Sequence, residues 1–185
     1  MPVVSITLLP GYAPETQHRM VNRVAQAVRS VIDTPEAGTT VFVNEVSTYR
    51  RDGKVFSSGR AAHPVASEVV QSFLQAMQDR DMALAHSFLH PDFAMCFPGG
   101  VQIRTLPELI IWAQQRYSTI RKDYAQFEES WQGDATVVFC HGNLQGTWLN
   151  GEPFEGIRFI DRMEVHGGLI TRQDVWNDLA EHRKA

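Results

Sequence analysis

Two places in this sequence hold residue types arranged for proton transfer. The first is Pro2, directly ahead of the β-branched run Val3 to Leu9. Removal of Met1 turns its nitrogen into a secondary amine. An α-amino group titrates at about 8, and burial against apolar neighbours lowers that value because desolvation disfavours the cation. A neutral amine there takes a proton from carbon beside a carbonyl and returns it elsewhere, which is tautomerisation. The second place is the run around Asp161. Alternate residues of a strand share a face, so Phe159, Asp161 and Met163 point together, while Arg158, Ile160, Arg162 and Glu164 point the other way. That leaves Asp161 an acid among apolar neighbours, surroundings that raise a carboxyl pKa and suit proton transfer. By the same alternation His141 groups with Asn143, and Asp174 with Arg172 and Trp176. Asp161, His141 and Asp174 are therefore the candidate acids and bases of this half, with Asn143, Phe159 and Trp176 as ligand contacts. The same residues admit a structural reading, in which Asp161 pairs with Arg158 or Arg162 and Asp174 with Arg172.

Other signals carry less. His86 and His90 stand four apart, but no nearby acid or cysteine supplies a third ligand and Pro91 ends the helix, so no metal is expected. Cys140 and His141 are adjacent, hence on opposite faces of a strand, and cannot act as a pair. No phosphate-cradling glycine loop and no dinucleotide fingerprint is present, so no cofactor is implied.

The elements that must position these residues fall into two unlike halves. Residues 1–60 carry seven Lys/Arg against five Asp/Glu, whereas 61–185 carry ten against sixteen, with all four Trp and eight of the ten Phe. The small polar stretch 57–64, ending at Pro64, reads as a linker, which sets domains at 1–56 and 65–185. In the first, the strand from Val3 stops at Pro10-Gly11. Pro14 and Glu15 open a helix on which Val21, Val24, Val28, Val31 and Ile32 recur, ending at Asp33-Thr34-Pro35. Thr39 to Val46 is a second strand. Strand, crossover helix and strand make a right-handed βαβ unit with parallel strands, too small to be stable alone. The triplet Arg50, Arg51 and Lys54 reads as a solvated basic loop. The second half starts with helices at 65–77, 82–89 and 106–117 and a short strand at 92–97. Four long strand-like runs follow, at about 124–131, 135–149, 154–166 and 169–176.

Residues 2–46 resemble the 4-oxalocrotonate tautomerase family, through Pro2, the strand Val3–Leu9, the Pro10-Gly11 turn, the helix from Pro14 and the strand Thr39–Val46. The resemblance implies enol–keto isomerisation with Pro2 as base. It also implies two arginines that bind the substrate; those positions hold Tyr12 and Thr40 here, which leaves Tyr12, Arg19, Arg50 and Arg51 as substrate-binding candidates. Residues 65–182 are similar to the SnoaL-like polyketide cyclase branch of the nuclear transport factor 2 (NTF2) fold. The likeness rests on the helix 65–78, Phe88-Leu89-His90-Pro91-Asp92-Phe93, the Phe97-Pro98-Gly99-Gly100 turn and the last two strands. It implies a pocket with a carboxylate acting as acid or base. Where related epoxide hydrolases carry an Arg-x-Asp pair, this chain reads His141-Gly142-Asn143, so that activity is not expected.

The expected fold is α+β: the small βαβ unit, then a curved antiparallel sheet with helices forming a cone-shaped pocket. The 185 residues, 43% hydrophobic and 21% charged, are those of a globular chain and exclude a disordered one. No run is apolar enough for a membrane span. A net charge of −4 argues against general nucleic-acid binding. Two cysteines in apolar runs, and no secretory-type start, point to the cytoplasm. The expected activity is a small-molecule isomerase, with Pro2 as base, acting on a small hydrophobic or carbonyl-containing compound. The other readings are catalysis by a carboxylate in the SnoaL-like pocket alone (cyclase, isomerase or dehydratase) and a non-catalytic binding or assembly protein. All of them call for a homo-oligomer, dimer or higher, to cover the small unit.

Overall fold

A computed structural model describes residues 1–56 and 62–182. The chain separates into two compact units, Met1–Ala62 and His63–Ala185. Most of the expected linker, residues 57–61, lies outside the described residues.

In the first unit, β1 (Val3–Leu8) and β2 (Thr40–Glu45) run parallel, Val3 beside Thr40 and Leu8 beside Glu45. Between them crosses α1 (Pro14–Arg29), started by Pro14 with Glu15 in its first turn. It ends at Arg29, so Val31 and Ile32 fall beyond the helix and are exposed. One face of the strand pair is half-buried through Val4, Ile6, Leu8, Val41 and Val43; the other shows Val3 and Phe42 to solvent. The basic triplet is not a loop. Tyr49–Arg51 (β3) and Lys54–Phe56 (β4) form a hairpin. Asp52 and Gly53 both take positive φ, +50° and +77°, which is the dipeptide chemistry a two-residue hairpin turn demands.

The second unit begins with α2 (Ala66–Gln78) and α3 (Met82–Ser87), followed by β5 (Leu89–Phe97), β6 (Val101–Ile103) and α4 (Leu106–Gln114). A reciprocal cap between Thr105 and Glu108 starts α4. Four long strands follow: β7 (Tyr117–Gln132), β8 (Ala135–Trp148), β9 (Pro153–His166) and β10 (Leu169–Asn177), with α5 (Leu179–His182) at the end. The six strands form one sheet in the order β6-β5-β10-β9-β8-β7. β5 and β10 pair in parallel, so the sheet is mixed rather than antiparallel. Its inner face supplies Met95, Val138, Cys140 and Met163 to a core shared with Val70 and Phe73 of α2. β8 bends where it passes β7: a Cβ on Gly142 would sit 1.9 Å from the Asp123 carbonyl oxygen, and one on Gly146 2.1 Å from that of Thr119. Register shifts fall beside both glycines, as bulges in a bent sheet do.

Candidate active site

β9 sends Phe159, Asp161 and Met163 to the inner face, as alternation requires, and all three are buried. Asp161 has no exposed surface, yet it is not isolated. β7 starts at Tyr117, seven residues ahead of the strand expected from the sequence, and this places Lys122 and Tyr124 on the same inner face. The Lys122 ammonium donates to Asp161 Oδ2 in a close ion pair. Gln173 Nε2, from β10, donates to the same oxygen at 3.4 Å. Lys122 Nζ also lies 4.6 Å from the centre of the Phe159 ring, a favourable place for a cation. Asp161 Oδ1 and Gln173 Oε1 are buried without a hydrogen-bond partner.

Above this group is a cavity of about 150 Å³ bounded by α2, α4, β7 and β10. Phe73, Phe97 and Trp112 are among its apolar walls; Lys122, Tyr124 and Gln173 give it a polar floor. Asp161 lies behind that floor. Burial, then the charge on Asp161, then Cys140, push the Tyr124 phenol well above its ordinary value, so it is a protonated donor throughout the neutral range. Burial and Asp161 likewise push the Cys140 thiol up to about 12, against the pull of Lys122, which leaves it an unreactive thiol. An ammonium and a phenol facing one apolar space can hydrogen-bond an oxygen that gains negative charge, with a carboxylate in reserve behind them.

The other candidates lie elsewhere. His141 and Asn143 are exposed on the outer face of the sheet. Asp174 is on that face too, held by Arg172 Nε at 2.9 Å and Arg162 Nη1 at 3.3 Å, with Trp176 exposed beside it. Arg158 pairs with Asp178 at 2.7 Å, so neither Arg158 nor Arg162 is the partner of Asp161. Of the second-half candidates, Asp161 and Phe159 share the inner face, while His141, Asn143, Asp174 and Trp176 lie on the outer one. In the first unit, the Pro2 carbonyl accepts from Thr40 N at 3.1 Å, and its nitrogen is in peptide linkage to Met1. The Tyr12 carbonyl accepts from Gln17 Nε2 at 3.2 Å, while Arg50 and Arg51 are exposed on the hairpin. Every residue lining the cavity belongs to the second unit. Lys122 and Tyr124, which line the cavity, are the residues of the candidate site that the sequence did not single out. The signal was there in Ile120, Lys122 and Tyr124 at strand spacing, obscured by the charged run Arg121-Lys122-Asp123. Among the described residues no three His, Cys, Asp or Glu side chains gather to hold a metal, and no helix is long and apolar enough to cross a membrane.

The fold has solved counterparts. TerC, co-crystallised with polyporic acid, is 23% identical over 63% of this chain and 94% of that chain, with a TM-score of 0.54. An NTF2-like protein of unknown function from Burkholderia pseudomallei K96243 is 21% identical over 63% of this chain and 93% of that one, TM-score 0.53. Another NTF2-like protein, from Burkholderia thailandensis E264, is 18% identical with the same coverage and TM-score. At such identities the likeness is one of fold, an α+β arrangement with a mixed sheet and helices as in NTF2-like proteins. No protein-family model matches the chain, and no curated protein matches it.

Proposed function

We propose that the second unit is a small-molecule isomerase or cyclase acting on an enolisable carbonyl compound in this cavity. The observation that carries the reading is the fully buried Asp161, behind the cavity floor, paired with Lys122 of the lining. A buried ion pair adds little net stability compared with apolar packing, so its presence under a cavity points to chemistry. The substrate carbonyl oxygen takes hydrogen bonds from the Lys122 ammonium and the Tyr124 hydroxyl, which stabilise the enolate as it forms. As Lys122 turns from Asp161 Oδ2 to that oxygen, the carboxylate is freed to accept the proton of the adjacent C–H bond. The C–H electron pair becomes the new C=C bond and the carbonyl π pair moves onto oxygen, giving the enolate. Return of the proton to another carbon completes an isomerisation; attack of the enolate on an internal electrophile completes a cyclisation. Free Cys96 and Cys140 fit a reducing compartment such as the cytoplasm.

The test is α-proton exchange of 4-phenyl-2-butanone in D₂O, followed by NMR with the full-length protein. Asp161→Asn is expected to slow exchange by about 100-fold or more, and Tyr124→Phe by less. Exchange at the wild-type rate in a folded Asp161→Asn variant removes Asp161 as the base. Binding of the ketone with no exchange in the wild type favours a carrier over an enzyme.

A second reading keeps the first unit catalytic, and it is favoured by the parallel βαβ arrangement that Pro2 opens. It requires excision of Met1, because an amide nitrogen has no basicity. Keto–enol conversion of an arylenolpyruvate that is lost in Pro2→Ala but kept in Asp161→Asn would place the activity there.

A further inference from the structure

One residue at the cavity breaks a local rule. The end of α2 is a complete left-handed cap: Arg80 N–H reaches the Met77 carbonyl at 3.3 Å and Asp81 N–H reaches that of Ala76 at 2.9 Å. The residue in the left-handed position of such a cap is ordinarily glycine, which has no Cβ to clash. Here it is Arg80, at φ +62°. Departures from local preference that lack a packing gain concentrate at functional sites.

Arg80 lines the cavity from a solvent-exposed position, and no ion pair holds its guanidinium among the described residues. Asp79, on one side, is held by Gln75 Nε2 at 2.9 Å to both oxygens. Asp81, on the other, accepts from Leu84 N at 2.9 Å as the cap of α3. Both are acidic neighbours of Arg80 in the chain, but neither forms an ion pair with the guanidinium. The other two cations of the lining are neutralised: Arg121 by Asp123 at 3.3 Å and Lys122 by Asp161. No Asp or Glu is among the lining residues. Among the described residues Arg80 is therefore the one cation of the lining without a carboxylate at ion-pair distance. Burial pushes the Tyr117 phenol, also of the lining, upward, opposed first by Arg116 and then by Arg80.

We propose that Arg80 is the anchor for an anionic group, so that the cavity takes small organic anions with an apolar body, above all oxo-acids whose carboxylate rests on Arg80 while the carbonyl reaches Lys122 and Tyr124. This rests on the cavity being the site of action and narrows its substrate class. The guanidinium presents planar paired donors that match a carboxylate. The neutral Lys122–Asp161 pair gives the floor no net charge with which to compete.

The test is calorimetric titration of the full-length protein with 2-naphthoate and with 2-naphthamide, which share ring and shape and differ in charge. The wild type is expected to bind naphthoate about tenfold more tightly or better. Arg80→Gln and Arg80→Gly should each bring the two affinities together by weakening naphthoate alone, and Arg80→Lys should keep most of the preference. Equal affinity in the wild type, or a preference that survives Arg80→Gln, overturns the anchor and leaves the cavity reading standing. No binding of either compound at millimolar concentration overturns both the anchor and the cavity site.

Discussion

A carboxylate without exposed surface keeps its charge only through its partners, and for Asp161 those are the Lys122 ammonium and, more distantly, the Gln173 amide. The two halves of the pair are unequal. Lys122 keeps 21% of its side chain exposed, whereas Asp161 keeps none. Lys122→Met thus strands a buried charge, and urea unfolding should show a loss of about 3–5 kcal/mol. The double change Asp161→Asn with Lys122→Met should be more stable than Lys122→Met alone; the opposite order would mean that Lys122 matters for its packing and not for its charge. Titration gives a second test at this scale. Tyr124 and Cys140 both ionise at higher pH folded than unfolded. Above the unfolded values, about 8.5 for Cys and 10 for Tyr, the unfolded chain has released protons that the folded chain keeps. Their contribution to stability is complete below those values and drains away as pH rises toward the folded ones. The unfolding midpoint should fall from about pH 9 upward, and less steeply in Tyr124→Phe. The shared face of Phe159 and Asp161 was legible from alternation alone. Lys122 was not, because a run of three charges hides the start of β7. The outward direction of His141 and Asp174 was equally hidden, since alternation groups residues by face without saying which face is the inner one.

Elements read well where the signal is local. The βαβ order, the helices expected at 65–77 and 106–117 (found at 66–78 and 106–114, the latter cut short because β7 begins at Tyr117) and the long strands follow from periodicity and from turns such as Gly167-Gly168. The parallel pairing of β5 with β10 did not, because strands more than 70 residues apart in sequence meet through closure of the whole sheet and leave no local mark. The bend of β8 is a case between. Gly142 and Gly146 are visible in the sequence, but their need appears only when a Cβ is set against the β7 backbone. Neither contact can be relieved by turning a side chain, so Gly142→Ala should lower stability by about 3 kcal/mol and weaken naphthamide binding as the floor shifts. A wild-type midpoint in Gly142→Ala would mean that β7 slides freely past β8. The cap of α2 points the other way. Replacing Arg80 at φ +62° by glycine relieves a left-handed L residue, and Arg80→Gly should raise stability by about 1 kcal/mol even as it removes the anion preference. Stability gained together with selectivity lost would separate a residue kept for its charge from one kept for the fold.

At the scale of the molecule the two units differ in what holds them. The second has a continuous core from Val70 and Phe73 through Met95, Val138 and Met163. In the first, only Gly38 is buried among the described residues, and α1 buries none of its own. A two-stranded sheet with one helix shields one face only, which is too little for independent stability in water. Its other face carries Val3, at 63% exposure, and Phe42, at 55%, beside Ser5 and Asn44, whose side chains bond each other at 2.9 Å. That strip is small, flat and uncharged at its centre, and each strand has an open edge. A second copy of the chain answers all three features at once, since like strips stack about a two-fold axis without burying a charge. The wild type should therefore sediment as a dimer or higher at micromolar concentration, and Phe42→Asp should shift it toward monomer while Cys140 in the second unit stays as slow to label as before. An oligomer unchanged by Phe42→Asp would move the contact to the outer sheet face, where Ile160 and Trp176 are exposed at 39% and 52%. A wild-type monomer would leave the βαβ unit with bare apolar strands and no partner of its own kind, and the assembly reading would end there.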